Sequence, residues 1–189
     1  GWMVGEPRDL AYADVAQDLC ANGEIAEDAR ARRLDPPARG GSAVAAGSNL
    51  ARDLGNRPAN VCTPSHLAET ARNIAKRYER MEVKVLDEAD IRKLGMGALL
   101  SVTQGADEPP KLIVLHYKGA AAKEAPIALC GKGVTFDTGG ISIKPADHME
   151  YMRHDMTGAA TVIGFTQLAA AAKLPVNVLG VFPATENLP

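Results

Sequence analysis

Two lysines and two aspartates, Lys132, Asp137, Lys144 and Asp155, stand in one glycine-broken stretch that follows directly on an apolar run. Amines and carboxylates gathered beyond the end of a strand are suited to holding an ion and steadying a developing charge. Each residue alone has an ordinary explanation. A lysine at a strand end is commonly solvated, and an aspartate ahead of a helix commonly caps it, as Asp155 could for a helix beginning at Met156. Their joint presence, with a Gly139-Gly140 turn open to backbone conformations that other residues avoid, is what points to a site.

Rival motifs compete for the same residues. Gly131-Lys132-Gly133 lacks both the earlier glycine and the following Ser or Thr of a phosphate loop, which excludes that reading. Asp137-Thr138-Gly139 matches the triplet that carries an aspartic-protease carboxylate, a mechanism that needs two aspartates sharing a proton. The chain has one such triplet, so only a homodimer could complete the pair, and that alternative stays open. Met149, Met152 and Met156 have the spacing of ordinary core packing.

The elements that must carry these residues alternate between strand and helix. Ala43 to Leu54 reads as helical, stopped by Gly55-Asn56-Arg57-Pro58, and Thr63-Pro64 opens a helix to about residue 79 with the threonine as N-cap. Strands are expected at Met81 to Leu86, Ala98 to Thr103, Leu112 to Tyr117, Pro126 to Cys130 and Val176 to Phe182. The runs at 112–117 and 126–130 have the look of strands buried on both faces. Glu88 to Leu94 reads as a short helix, and another begins at or just after Asp155 and ends near Lys173. Residues 9 to 33 read at best as polar helix, and Asp35-Pro36-Pro37-Ala38-Arg39-Gly40-Gly41-Ser42 as a helix-breaking linker. The interleaving predicts an α/β layered sheet, and Lys132 and Asp137 then fall on a loop at the carboxyl edge of the strand ending at Cys130.

Bulk properties narrow the function classes. A formal net charge of -2 argues against nucleic acid as a main partner. No run approaches the roughly 20 apolar residues that span a bilayer, and the first residues lack the order of a signal peptide, so a soluble protein is expected. Cys20, Cys62 and Cys130 are odd in number and form no CxxC pair, which fits a reducing cytoplasm better than a disulfide framework.

The run Gly131-Lys132-Gly133-Val134-Thr135-Phe136-Asp137-Thr138-Gly139-Gly140-Ile141-Ser142-Ile143-Lys144, followed by Met152-Arg153-His154-Asp155-Met156-Thr157-Gly158-Ala159-Ala160, resembles the signature of the leucyl aminopeptidases, or cytosol aminopeptidases. The likeness continues through Ala51-Arg52-Asp53-Leu54-Gly55-Asn56-Arg57-Pro58-Ala59-Asn60 and Pro183-Ala184-Thr185-Glu186-Asn187-Leu188-Pro189, covering about residues 43 to 189. It implies a three-layer α/β/α zinc-exopeptidase-like catalytic domain with a mixed central sheet. It also implies a dinuclear metallopeptidase that removes N-terminal residues, preferably leucine, from peptides by attack of a metal-bridged water. Two divalent ions, zinc or manganese, are the cofactors of that family, with bicarbonate as a further candidate, and a cytoplasmic homohexamer is its usual form.

By the same resemblance Lys132, Asp137 and Asp155 are metal ligands, with Asp137 as the bridge and Asp155 near the substrate amine. A ligating lysine must be a neutral amine, far from its ordinary state. Carboxylate oxygens with an amine suit zinc or manganese better than soft copper. Lys144 resembles the lysine that polarises the carbonyl and stabilises the oxyanion, and Met152 lines the pocket for the first side chain. His154 departs from the small residue usual before the aspartate, and a bystander role is expected for it. The family's Asn-Thr-Asp-Ala-Glu-Gly-Arg segment, with two more carboxylate ligands and an arginine, has no counterpart here. Residues 1 to 42 resemble a remnant of the family's N-terminal domain and its interdomain connection, and 43 to 189 the first portion of the catalytic domain. A fragment with little activity of its own is therefore expected, the alternative being a non-catalytic assembly or binding module.

Overall fold

The computed structural model describes residues 36–189. Readings that fall on residues 1–35, including the polar helix at 9 to 33 and Cys20, lie outside them. Residues Ala43–Pro189 form one compact unit, and the packing below is that unit's.

Along the chain run α1 (Pro36–Asn56), α2 (Pro64–Arg77), β1 (Met81–Leu86), α3 (Glu88–Lys93), α4 (Gly97–Val102), β2 (Lys111–Lys118), β3 (Ile127–Cys130) and β4 (Gly133–Asp137). A 3-10 helix (Met149–His154), α5 (Thr157–Ala171) and β5 (Asn177–Asn187) follow. The strands form one mixed sheet ordered β1-β2-β5-β3, with β4 also on β5. β1, β2 and β5 pair antiparallel in turn, whereas β3 and β4 run parallel to β5. The parallel pairing follows from the connection, since β4 returns to the sheet through α5.

Residue alternation decides which face is covered. Ile113, Leu115 and Tyr117 of β2 are buried in one apolar cluster with Leu67, Ala71 and Ile74 of α2 and Ala159, Ile163 and Ala170 of α5. Their neighbours Leu112, Val114 and His116 point the other way and are half-buried. α2 begins as its sequence dictates. Thr63 Oγ1 accepts from the His66 N–H at 3.2 Å, and Pro64 takes a first-turn position where no donor is needed.

Small residues let α1 and α5 cross closely. A Cβ placed on Gly164 would lie 2.4 Å from the Gly47 carbonyl oxygen. Alanine ordinarily favours a helix interior over glycine by about 1 kcal/mol, but here the backbone collision wins. Gly164→Ala is expected to destabilise the protein by about 1–3 kcal/mol, the usual range for overpacking. Urea unfolding checks this, and an unchanged or raised midpoint would show that the two helices do not meet there.

Several elements differ from the sequence expectation. The proposed linker at 35–42 is helical from Pro36, because prolines in a first helical turn remove donors that have no partner anyway. Ala98 to Thr103 is helix α4 rather than a strand, since an apolar run this short fits either period. The strand ending at Cys130 is not buried on both faces: it is the sheet edge, with Ile127 52% exposed. β4 was not anticipated at all, and Asp137 ends that strand instead of lying on a loop. Cys62 is sealed in the core, where burial pushes its thiol up to about 11 against the pull of Arg57.

Candidate metal centre

β3 and the start of β4 lie end to end along β5 in one register, since Cys130↔Val181 and Gly133↔Ala184 have the same offset, and the register shifts between Val134 and Asp137. The break between them has a chemical cause. Gly131 N–H donates to the Val181 carbonyl at 3.1 Å, and a parallel ladder would return a bond from residue 183 to the Gly131 carbonyl. Residue 183 is proline and has no N–H to give. The carbonyl of the next residue, Lys132, accepts from Ala159 N–H of α5 at 2.9 Å.

The start of α5 reaches this break because both surfaces are glycine. A Cβ on Gly131 would lie 2.6 Å from the Gly158 carbonyl oxygen, and one on Gly158 would lie 2.8 Å from Lys132 N. Asp155, two residues ahead of α5, therefore arrives beside Lys132, with Nζ 2.8 Å from Oδ2. Its side chain does not cap the helix; Met156 occupies that position without a side-chain bond.

The Lys132–Asp155 contact is close but poorly directed. Oδ2 is shielded from solvent and receives no well-aligned hydrogen bond, so a buried carboxylate oxygen keeps unused acceptor capacity. The contact still holds the Lys132 ammonium above the ordinary lysine range; burial opposes this less strongly, and the charges of Asp155 and Asp137 add to it.

Asp137 is held from three sides. Lys144 Nζ donates to Oδ2 at 2.6 Å, while Oδ1 accepts from Asn187 Nδ2 at 2.6 Å and Gly139 N–H at 3.1 Å. Burial alone would push this carboxyl up, but the Lys144, Asn187 and Gly139 donors outweigh it and hold it below the usual range. Gly139 and Gly140 adopt φ of 92° and 69°, which turns the chain so that Lys144 comes back over Asp137. Lys144 Nζ also donates to Met152 Sδ at 3.1 Å.

The structure thus brings Lys132 to Asp155 and Lys144 to Asp137, and places Met152 against the Lys144 ammonium. His154 sits elsewhere, its Nδ1 2.7 Å from the Gly55 carbonyl oxygen. A carbonyl can only accept, so Nδ1 carries the proton and ties the 3-10 helix to the end of α1. Asn187 was not among the residues singled out from the sequence. Its partner is set by strand register, Asp137↔Asn187, which no local motif reveals. Among the described residues no group of three or more His, Cys, Asp or Glu side chains is placed to hold a metal.

A model of the cytosol aminopeptidase family catalytic domain matches residues 49–189. The chain belongs to the cytosol aminopeptidase family. It is 56% identical over 149 residues to a probable cytosol aminopeptidase of Nitrosococcus oceani, covering 79% of this chain and 30% of that protein. A probable cytosol aminopeptidase of Azoarcus sp. is 54% identical over 156 residues, covering 82% and 31%. The chain therefore spans about 30% of the length of these curated cytosol aminopeptidases. Among solved structures it is similar to the bottromycin maturation enzyme BotP in complex with Mn, with TM-score 0.73, 37% identity and coverage of 79% of this chain and 32% of BotP. Cytosol aminopeptidase from Coxiella burnetii gives TM-score 0.68 and 36% identity, covering 74% and 30%. Both likenesses agree with the mixed α/β architecture that the sequence predicts.

Proposed function

We propose that Lys132, Asp137 and Asp155 hold divalent metal in an aminopeptidase that releases N-terminal residues, leucine above all, from peptides. The observation that carries this reading is the meeting of Lys132 with Asp155, within the field of Asp137, where the shielded Asp155 Oδ2 lacks a directed hydrogen bond. An amine and two carboxylates fit zinc or manganese, and the manganese in the similar BotP structure supports the same choice. A metal ion bound here would supply Lewis acidity and lower the pKa of the attacking water.

The chain's own residues have separable tasks. Lys132 ligates only as a neutral amine, so it must surrender the proton that Asp155 now helps it retain. Lys144 has two of its three N–H groups engaged, by Asp137 and Met152, which leaves one to point at a substrate carbonyl and its developing oxyanion. Met152, held against that ammonium, forms part of the wall for the first side chain. Asp155 receives the substrate's free amino group. Two ions, a bicarbonate base, a cytoplasmic location and a homohexamer complete the reading on the strength of the family resemblance. Among the described residues no helix is long and apolar enough to cross a membrane.

A second reading is a binding or assembly module without turnover. The two separate in an assay of leucine amide against its N-acetylated form, using a polypeptide of the relatives' length that carries this sequence, with manganese or zinc supplied. Release of leucine from the free amine alone is expected. Equal cleavage of both substrates, or metal uptake without cleavage of either, would overturn the aminopeptidase reading.

A further inference from the structure

Asn187 closes the last strand, and its backbone and side chain do different things. The backbone carbonyl accepts twice from Thr138, from N–H at 2.9 Å and from Oγ1 at 2.7 Å, which fastens the end of β4 to the end of β5. The side-chain amide turns to Asp137 and donates to Oδ1 at 2.6 Å. A Cβ on Gly140 would lie 2.8 Å from Asn187 Oδ1, so the amide is packed directly over that glycine.

We infer that Asn187 is a positioning residue that fixes the rotamer of Asp137 through its side-chain amide, so that the carboxylate meets a divalent cation already aimed. This inference rests on the metal reading above. Of the three donors on Asp137, Gly139 N–H belongs to the backbone turn and Lys144 reaches in on a long, flexible stem. Asn187 supplies the short, packed side-chain contact, and it takes only Oδ1. Such a contact leaves Oδ2 to be shared between Lys144 and an incoming ion. A neutral amide is also suited to this task, because it orients a carboxylate without adding a charge that would repel the cation. Residues that orient a ligand in this manner typically change metal affinity by about 10- to 100-fold when removed.

The division between backbone and side chain makes the idea testable apart from folding. Asn187→Leu keeps the branched shape, in a larger side chain, and leaves the carbonyl free to accept from Thr138, but removes the amide donor. Asn187→Asp keeps the shape and replaces the donor with a second carboxylate oxygen facing Asp137. The Mn2+ dissociation constant of residues 1–189 is measured for each by electron paramagnetic resonance, with the thermal midpoint of the metal-free protein taken on the same samples. Asn187→Leu is expected to weaken Mn2+ binding by about 10- to 100-fold while the metal-free midpoint moves little. In the wild-type, metal-free protein the Asn187 side-chain amide protons should exchange slowly with solvent, and Asp137→Ala should speed that exchange. Equal Mn2+ affinity in wild type and Asn187→Leu, or an affinity loss that only tracks unfolding in both variants, would overturn the inference alone. A wild-type chain that takes up no Mn2+ would overturn the metal reading and this inference with it.

Discussion

Asp137→Ala is expected to abolish measurable binding of manganese or zinc, an effect larger than the roughly 10- to 100-fold that loss of a merely supporting residue causes. The carboxylate is the meeting point of the site. It receives Lys144, Asn187 and the Gly139 N–H, and it contributes to the field at Lys132. Its removal takes away a ligand and at the same time leaves the Lys144 ammonium uncompensated beside the cation position. The fold should survive with modest loss, because the unmet donors of Lys144 and Asn187 are only partly buried and water can reach them. Metal content by equilibrium dialysis, read beside the thermal midpoint, separates these effects. Retention of metal at wild-type affinity would remove Asp137 from the ligand set.

Lys144→Met is expected to do the opposite: metal is retained and turnover falls by about 10²- to 10³-fold, the usual cost of removing one oxyanion-stabilising donor. The sign of the binding effect follows from the contact. Lys144 donates to Asp137 Oδ2 and carries a positive charge, so it competes with a cation for that oxygen. Removing the ammonium should leave metal affinity unchanged or raise it. The variant also strips Met152 of its partner, and a shift in preference for the first side chain is expected along with the fall in kcat. Metal stoichiometry and kcat are to be measured on the same preparations of a polypeptide of the relatives' length. Loss of metal, or an intact kcat, would show that Lys144 has a different task.

The gathering of amines and carboxylates around a glycine-rich turn could be read from residue types and order, because turn glycines and strand-end lysines are local signals. α2, β1, α3, β2 and the start of α5 were likewise legible from caps and apolar periodicity. What escaped was whatever depends on a distant partner. β4 was missed because Gly133, Thr135 and Asp137 weaken its apolar pattern, and it becomes a strand by pairing with β5 across fifty residues of sequence. The exposure of β3 was missed for a related reason. Apolar character gives no sign of whether a strand is central or at an edge, and here Ile127 lies at the edge. α4 was lost to the ambiguity of a six-residue apolar run. The Asn187 contact and the Pro183 gap opposite Gly131 are consequences of register, and register is not written in any local motif.

The central claim is that Lys132, Asp137 and Asp155 face one metal position. The most direct test is anomalous diffraction from crystals of the 189-residue chain soaked with zinc or manganese. A peak is expected at roughly 2.0 to 2.2 Å from Lys132 Nζ and from carboxylate oxygens of Asp137 and Asp155. The present 2.8 Å contact between Lys132 and Asp155 Oδ2 should then be rearranged around the ion. A soaked crystal in which that contact persists and metal is absent from the site, or bound only elsewhere, would contradict it.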